Sequence, residues 1–567
     1  MTQGRATVRR WALGGALAVT AALLPRAAAA QTADTVEIVV DFDDGTSASE
    51  AREVAARHGL TLTANSHMAG DDGIYRAVVP RAREAQVLRG LSRESSVEAA
   101  EENIEVRALF TPNDPLFEQQ WGLRRVGGEA AWDVTCGRGV VVAVVDTGVA
   151  CENHGEFTRV PDLDGARCLP GWNFVTGDAH ANDDQGHGTH VAGTIAQTTH
   201  NALGGAGVAY CASILPVKVL DTNGRGTLAN VAEGIRWAAD HGADVINLSL
   251  GGGGRSKVME QAVAYARSKG STVVCAAGNN GRYVESPANA PGAVAVSAID
   301  DGDQIAFFSS RGPEVDLAAP GVQILQQTIC NRGRDRCEQF ASWSGTSMAA
   351  PHVAGVAALV HSLGVTDPDA VEAALKAHTS RPGHGASDVE LYGAGIVSAS
   401  EVTRGVLMRQ GYTRLASLVL VALALALWIR RRAGSLGLEG ALPAYLTGVG
   451  LFFLPALLPR QTPGVDLLMR PLAGWDTVLL GSAAHRWLAF ANAGVVMLLV
   501  GVGFGRRWLR GTIGGVAAGV AAYLIAEVYL GTAFPPLGRA LYLGWALANA
   551  AVCLWVARIG LDRKTAG

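Results

Sequence analysis

The chain of 567 residues contains little charge: Asp, Glu, Lys and Arg make up only 17% of it, against about 25% in an ordinary soluble protein. Its net charge is −4, so the basic excess of a nucleic-acid-binding protein is missing and we expect no nucleic-acid partner. The charge deficit is concentrated toward the C-terminal end. Residues 440–557 also lack a cluster of metal-ligating side chains and a GxSG-type serine motif. This absence argues against a metal centre or a second serine nucleophile there.

One segment, GTSMAAPHVAG, places a serine between small residues at the start of an apolar run. The run Met348–Val360 predicts a buried helix, and Pro351 is tolerated near its beginning because first-turn N–H groups lack partners there. Small neighbours let a substrate backbone approach Ser347, and the helix start contributes positive potential. Ser347 is therefore a candidate nucleophile that needs a base and an orienting acid.

Both partners occur upstream of Ser347. The apolar run Val140–Val145 predicts a buried parallel strand, and Asp146 follows at the strand end where open α/β sheets bind their ligands. The segment GHGTHVAGTI places His187 between two glycines at the start of a second apolar helix. The order Asp146, His187, Ser347 is one of the known chain orders of a catalytic triad.

With these segments the chain resembles the subtilisin-like serine proteases, or subtilases. The matching motifs are VVDTG around Asp146, HGTHVAGT around His187, GTSMAAPHVAG around Ser347, and VVCAAGNN, which carries Asn279. The resemblance covers roughly residues 113–399 and implies an α/β fold, a parallel sheet flanked by helices. It further implies that His187 takes the Ser347 proton, that Asp146 orients the imidazole, and that Asn279 binds the oxyanion.

The same resemblance implies where a peptide substrate binds. Eight residues match the strands and walls of the family's cleft: Ser249, Leu250, Gly251, Ala276, Ala277, Gly278, Gly224 and Gly226. The first three match the strand that pairs with an extended peptide. Glu285 falls near the base of the pocket for the residue before the scissile bond, where a carboxylate favours Lys or Arg. The alternative is that Glu285 is a glutamate of a solvated loop.

Eight cysteines predict an exported protein with disulfide bonds. Three pairs are candidates: Cys330–Cys337 from their short spacing, Cys136–Cys211 from the resemblance, and Cys151–Cys168 from their place after the Asp146 turn. Two cysteines then remain: Cys275 is expected to be a buried thiol, and Cys553 lies in an apolar helix.

The implied chemistry requires no cofactor, and no metal site is predicted. Many subtilases bind calcium, and Glu156 and Asn201 roughly match ligand positions of the family. The loop around His200 departs from the family pattern, however, so calcium has no clear site in this sequence.

Residues 1–30 predict a signal peptide. Arg5, Arg9 and Arg10 precede an apolar stretch, Trp11–Leu24, and a small-residue cleavage signal of four alanines follows it and ends at Ala30. The paired arginines also fit a twin-arginine signal, but paired arginines are commoner in an ordinary signal, so general secretion is favoured.

Residues 31–110 predict a small α+β unit. Its expected elements are a strand Val36–Phe42, a helix Ser47–His58 capped by Ser47 or Ser49, a strand Ile74–Val79 and a helix Ala82–Leu91. Its position before the subtilase-like domain is that of the family's inhibitory propeptide. Cleavage after Arg107 or after Phe110 is expected to release the mature chain.

Residues 111–405 are assigned to the catalytic domain, and residues 406–567 predict an α-helical membrane domain. Five apolar runs of 15 to 20 residues predict transmembrane helices: Leu415–Ile429, Gly440–Pro459, Trp487–Gly505, Gly511–Ala526 and Ala540–Ala557. Basic clusters at 430–432, 506–510 and 558–564 then share one side, which the positive-inside rule assigns to the cytoplasm. Gly515 and Gly519 are expected to pack helices together. Arg414 is expected to snorkel, and Glu527 to lie at the interface.

The sequence therefore predicts an exported serine endopeptidase, anchored in the cell membrane by several spans with its catalytic domain on the outer face. Its expected partners are a peptide or protein substrate, the membrane, and its own propeptide as inhibitor. The alternative is a membrane receptor or transporter whose subtilase-like domain only binds peptides. The presence of Asp146, His187, Ser347 and Asn279 argues against that alternative.

Overall fold

The computed structural model describes residues 35–66, 73–103, 111–380, 388–430, 438–458 and 464–561. The chain divides into two compact units, with the boundary between Ala108 and Leu109. The signal peptide predicted from the sequence and the expected cleavage sites at Arg107 and Phe110 lie outside the described residues.

The N-terminal unit is an antiparallel sheet with two helices, in the strand order β2-β3-β1-β4. Its elements are β1 Thr35–Phe42, α1 Ala48–Arg57, β2 Thr63–Ala64, β3 Ile74–Pro80, α2 Arg81–Leu91 and β4 Val97–Glu102. Alternate residues of β1 are buried, as expected for a strand with one face on the core. The Ser47 hydroxyl accepts a hydrogen bond from the Glu50 N–H at 3.2 Å, which identifies Ser47 as the helix cap. The predicted strands and helices are present, whereas β2 and β4 were not predicted because they carry few apolar residues.

The second unit contains a ten-stranded sheet, in the order β15-β16-β12-β11-β10-β9-β5-β8-β6 with β7 beside β8, and a separate hairpin of β13 and β14. The strands are β5 Val141–Asp146, β6 Arg167–Cys168, β7 Trp172–Asn173, β8 Ser213–Lys218, β9 Val245–Leu248, β10 Thr272–Ala276, β11 Ala293–Ile299, β12 Val315–Pro320, β13 Ile324–Gln327, β14 Phe340–Trp343, β15 Thr379–Ser380 and β16 Ile396–Val397. The central strands pair in parallel, and their side chains are buried on both faces. This pattern is the reason for their continuous apolar sequences.

Helices cover both faces of this sheet. They are α3 Trp121–Arg125, α4 Gly128–Trp132, α5 His187–Ala196, α6 Leu228–Asp240, α7 Lys257–Ser268, α8 Thr346–Ser362, α9 Pro368–Ala377 and α10 Val389–Tyr392. Almost every residue of α8 is buried, so this helix runs through the core beneath the sheet. The subtilisin-like α/β architecture expected from the sequence is confirmed.

The C-terminal part of the second unit is helical. Its helices are α11 Ala399–Arg430, α12 Leu438–Gly448, α13 Val465–Leu468, α14 Asp476–Leu479, α15 Ser482–His485, α16 Ala493–Gly503, α17 Arg507–Leu530 and α18 Arg539–Leu561. Three of the described helices, α11, α17 and α18, are long and apolar enough to cross a membrane.

Two of the five predicted spans are not continuous α-helices. In the run Gly440–Pro459 the α-helix ends at Gly448, and the chain turns at Gly450, whose φ is +73°. The run Trp487–Gly505 is helical only over Ala493–Gly503. Each of these helices has 11 residues, fewer than the roughly 20 that one regular helix needs to cross a bilayer, so neither run forms a single membrane-length helix. The run Leu415–Ile429, by contrast, belongs to a helix of 32 residues.

The predicted glycine packing is confirmed. A Cβ on Gly515 would lie 2.2 Å from the Gly440 carbonyl oxygen, and one on Gly519 would lie 2.6 Å from the Ala444 carbonyl oxygen. These glycines therefore let α12 approach the backbone of α17, as small residues do between membrane helices.

Glu527, which was predicted to be interfacial, is buried inside the helical part rather than exposed. Its side chain is fully buried and forms an ion pair with Arg414 at 2.9 Å, and the Thr532 hydroxyl donates to its second oxygen at 2.9 Å. Arg414 is also buried and lies over the Tyr523 ring, so it does not snorkel. The sequence could not reveal this because the two charges are 113 residues apart.

The disulfide predictions are confirmed. Bonds join Cys136 to Cys211, Cys151 to Cys168 and Cys330 to Cys337. Cys275 is a buried free thiol, and burial raises its pKa well above the ordinary value. The bonded cysteines all lie on the catalytic side of the second unit.

Candidate active site

Asp146 and His187 meet at the C-terminal edge of the sheet. Asp146 ends β5 and is fully buried, and its Oδ1 lies 2.7 Å from His187 Nδ1. The Thr147 N–H donates to the same oxygen at 2.7 Å. Burial disfavours the imidazolium, but the charge and hydrogen bond of Asp146 outweigh it, so the pKa of His187 is raised. An imidazole held in this way can accept a proton through its other ring nitrogen.

Asp183, which the sequence analysis did not single out, fixes the two partners relative to each other. Its buried carboxylate accepts the Thr147 hydroxyl at 2.9 Å, in the turn after Asp146. It also accepts the Gly186 N–H at 2.8 Å and the Thr189 N–H at 2.9 Å, at the start of the helix that carries His187. No signal in a polar loop distinguishes such a carboxylate from a solvated one.

Ser347 is the second residue of α8 and faces the same cleft. Gly345 precedes the helix with an extended backbone, and its lack of a side chain leaves space in front of the serine. The Ser347 Oγ donates to the Ser249 carbonyl at 3.0 Å, and the Ser249 hydroxyl donates to the Ser347 carbonyl at 2.8 Å. Within the described residues no hydrogen bond joins Ser347 to His187. Such catalytic contacts are often longer before substrate binds.

Asn279 lies beside the start of α8. Its side-chain oxygen accepts the Thr346 N–H at 2.9 Å and the Thr346 hydroxyl at 3.0 Å. These two bonds fix the amide so that its NH₂ group remains available as a donor. Thr346 is thus a positioning residue that the sequence analysis did not identify.

A cleft of about 890 Å³ runs across this edge of the sheet. It is lined by most of the residues predicted to bind substrate, namely Gly224, Gly226, Ser249, Leu250, Gly251, Ala276, Gly278 and Glu285, together with His187, Asn279 and Ser347. Ala277 is the exception, because its side chain points into the core and is fully buried. Its carbonyl instead accepts the Glu285 N–H at 2.9 Å.

Glu285 lies between the two walls of the pocket. A Cβ on Gly251 would lie 3.3 Å from its Oε2, and one on Gly278 would lie 2.8 Å from the same oxygen. Its Oε1 accepts the Asn280 amide at 2.9 Å. Glu285 is partly buried and forms no ion pair within the described residues. Its carboxylate is therefore placed to meet a side chain that enters the pocket.

The two residues considered for calcium contact other side chains of the protein. Glu156 forms an ion pair with Arg334 at 2.8 Å. Asn201 donates through its amide to Asp162 at 2.8 Å, and Gln197 and the Gly205 N–H donate to the same carboxylate. Burial raises the pKa of Asp162 to about 7. Within the part of the chain that the structure describes, no group of three or more His, Cys, Asp or Glu is arranged to hold a metal.

Comparisons with known proteins agree with this geometry. Residues 137–395 match the model of the subtilase family. The chain is 42% identical to a thermophilic serine proteinase of Bacillus sp. (strain AK1) over 332 residues, which are 58% of this chain and 78% of the relative. It is 47% identical to thermitase of Thermoactinomyces vulgaris over 257 residues, 45% of this chain and 87% of the relative. It is also 35% identical to an extracellular protease of Xanthomonas campestris pv. campestris over 426 residues, which are 64% of this chain and 71% of the relative.

Proposed function

The chain belongs to the subtilase family and is a subtilisin-like serine endopeptidase, and we propose that Asp146, His187 and Ser347 form its catalytic triad. The 2.7 Å contact between Asp146 and His187, in the cleft that Ser347 lines, is the observation that carries this proposal. Neither the match to the family nor the fold alone would assign these roles.

The proposed reaction proceeds in two halves. His187 takes the Ser347 proton as Oγ attacks the scissile carbonyl, and it then delivers this proton to the leaving amine. The Asp146 carboxylate keeps the imidazole oriented and stabilises its charged form. Water then attacks the acyl-enzyme with His187 again as the base, and the peptide acid is released.

Two donors would bind the oxyanion of each tetrahedral intermediate. The first is the Ser347 N–H at the start of α8, and the second is the Asn279 NH₂ group that Thr346 leaves available. Removing one such donor costs roughly 10²–10³ in turnover, a figure that comes from another member of this family. Asn279→Ala should therefore retain measurable activity.

A fluorophosphonate probe tests the triad directly. The purified wild-type protein should be labelled at Ser347, and Ser347→Ala should be neither labelled nor active. Ser249→Ala is the matched control, because this neighbouring hydroxyl contacts Ser347 but has no base beside it. Labelling of a residue other than Ser347 would refute the assignment.

We further propose that Glu285 gives the enzyme a preference for Lys or Arg before the scissile bond. The support is its place between Gly251 and Gly278 without a cation of its own. An apolar residue in the pocket would leave this carboxylate unpaired, whereas Lys or Arg would pair with it. Profiling with peptides that differ only at this residue tests the preference.

The N-terminal unit and the helical part receive roles from their position and composition. We propose that the former is an inhibitory propeptide, which the enzyme removes by cleaving after Arg107 or Phe110. We propose that the latter anchors the enzyme in the cell membrane with the catalytic domain outside. Three long apolar helices support the anchor, and the relative from Xanthomonas is named as extracellular. N-terminal sequencing of the mature chain, and reporters fused after Arg432 and near Pro463, test these two roles.

A further inference from the structure

The catalytic domain joins its first apolar span without a flexible connection. Strand β16 ends at Val397, and α11 begins at Ala399 and continues to Arg430 as one helix. Val402, Val406 and Leu407 near its start belong to the core of the catalytic domain. The orientation of the domain on its anchor is therefore fixed by a continuous helix rather than by a linker.

The length of α11 also gives the distance between the cleft and the rest of the helical part. Strand β16 pairs in parallel with β12, so α11 starts at the same edge of the sheet as the candidate active site. Helix α11 packs against the rest of the helical part at Gly411, where a Cβ would lie 2.4 Å from the Phe452 ring. The 12 residues between Ala399 and Gly411 correspond to about 18 Å at a rise of about 1.5 Å per residue.

Helix α8 gives a second, independent measure. Ser347 lies at its N-terminal end, and the carbonyl of Ser362 at its C-terminal end accepts Arg470 Nη1 of the helical part at 2.6 Å. These 15 residues correspond to roughly 22 Å along the helix. Ser347 therefore lies at one end of α8, and the helical part contacts the other end.

The helical part contacts the catalytic domain at the beginning of the sheet strands. Arg486 forms an ion pair at 2.9 Å with Asp244, the residue before β9. The Ser482 N–H donates to the Gly139 carbonyl at 3.1 Å, shortly before β5. The candidate active site lies at the other ends of these strands.

The C-terminal end of α17 lies at this same contact between the helical part and the catalytic domain. Thr532 follows α17, and its carbonyl accepts the N–H groups of Thr366 and Asp367 at 2.8 and 2.9 Å. The Phe534 N–H donates to the Thr366 hydroxyl at 3.0 Å. The surface of a bilayer that surrounds α17 would therefore lie close to the base of the catalytic domain.

We propose that the anchor holds the cleft about 20 Å above the bilayer. The enzyme would then cleave soluble polypeptides and segments that extend far from the membrane surface. It would spare peptide bonds that lie next to a membrane span. This inference rests on the proposed function, both the endopeptidase site and the anchor. An extended chain needs about six residues to cover this height, and several more occupy the cleft on the near side of the scissile bond. A membrane-tethered substrate therefore needs about ten residues between its span and the cut.

Tethered reporters test the proposal with the full-length protein in phosphatidylcholine vesicles. Each reporter carries one sequence that the purified enzyme cleaves as a soluble peptide, joined to a transmembrane helix by Gly/Ser spacers of about 4, 8, 12 or 20 residues. A cysteine beside the cleavage site is labelled with a soluble maleimide, which verifies that every site is exposed. The soluble peptide is measured in the same vesicles.

The expected result is cleavage of the soluble peptide and of the longest reporter, with the shortest reporter cleaved at least about tenfold more slowly. The rise in rate should fall between spacers of about 8 and 12 residues. Equal rates for all spacers would overturn the proposal. A soluble peptide that stays intact would instead refute the endopeptidase site, and protein that fails to float with the vesicles would refute the anchor.

Discussion

The second unit contains two Asp–His pairs built alike, one in the cleft and one in the helical part. His485 Nδ1 lies 2.9 Å from Asp476 Oδ1, as His187 lies 2.7 Å from Asp146. In both pairs the N–H of the threonine that follows the aspartate donates to the same Oδ1. The pairs differ in access, because the His187 side chain is 23% exposed whereas that of His485 is 1% exposed.

An Asp–His pair can act as a base only where its second ring nitrogen can reach a nucleophile. His187 shares its cleft with Ser347. His485 Nε2 is buried without a hydrogen bond in the described structure, close to Gly364. Burial opposes the charge of Asp476, but His485 and the Thr477 N–H outweigh it and lower the pKa of Asp476. We therefore assign the second pair to stability.

Two glutamates repeat this contrast. Glu285 in the cleft has an amide partner but no cation within the described residues, whereas Glu527 in the helical part has its own cation, Arg414. In the cleft, therefore, only the negative half of a charge pair is present within the described residues. The helical part supplies both halves and closes them off from solvent.

The two Asp–His pairs should respond very differently to the loss of their aspartate. Asp146→Asn should lower kcat by about 10⁴-fold, because the amide favours the wrong imidazole tautomer, as in a serine protease of unrelated fold. Asp476→Asn should leave kcat unchanged and lower the free energy of unfolding by about 1–3 kcal/mol. Steady-state kinetics and thermal unfolding of both variants measure this. A comparable loss of kcat in Asp476→Asn would contradict the assignment of that pair to stability.

The next effect concerns the buried ion pair. Glu527→Gln should lower the free energy of unfolding by about 3–5 kcal/mol, because it leaves the Arg414 charge buried without a counter-ion. Glu401→Gln is the matched control, since Glu401 is exposed on the same helix as Arg414. Thermal unfolding in detergent is the measurement. Arg414→Met combined with Glu527→Leu should cost less than either change alone, and purely additive losses would argue against the pair.

A smaller effect is expected at the pocket. Glu285→Gln should lower kcat/KM for peptides with Arg or Lys before the scissile bond by roughly 10–100-fold, as loss of a desolvated charge pair does. Peptides with Leu or Phe at that position should be affected little. If wild-type enzyme prefers Phe or Leu and matures with Thr111 as its first residue, Glu285 does not set specificity.

The smallest effect is a displacement of the pH profile. His187 must be neutral to accept the Ser347 proton, and Asp146 raises its pKa. The value of kcat/KM should therefore fall, as pH is lowered, at a pH above that expected for an ordinary histidine. NMR titration of the imidazole in Asp146→Asn should show the pKa returning downward. An unchanged titration would mean that Asp146 does not control this proton.

The catalytic half was predictable because its residues repeat short patterns with local causes. The run Val140–Val145 ends in Asp146 at a sheet edge, and glycines surround His187 and Ser347. The helical half was predicted less well, because hydropathy reports composition and not where a helix stops. The turn at Gly450 fits closely against the backbone of Arg470, a contact between distant residues that no local pattern contains. The pairing of Arg414 with Glu527 was missed for the same reason.

Under the proposed membrane anchor, the continuity of α11 restricts how the enzyme could be released from a membrane. Only Ser398 separates the last strand of the sheet from this helix, and the next turns of the helix complete the catalytic core. Between sheet and bilayer there is no loop for another protease to cut, and a chain shortened at Val397 would lose part of its own interior. A soluble form of the enzyme must therefore keep the helix at least as far as Leu407 and replace the apolar surface beyond it.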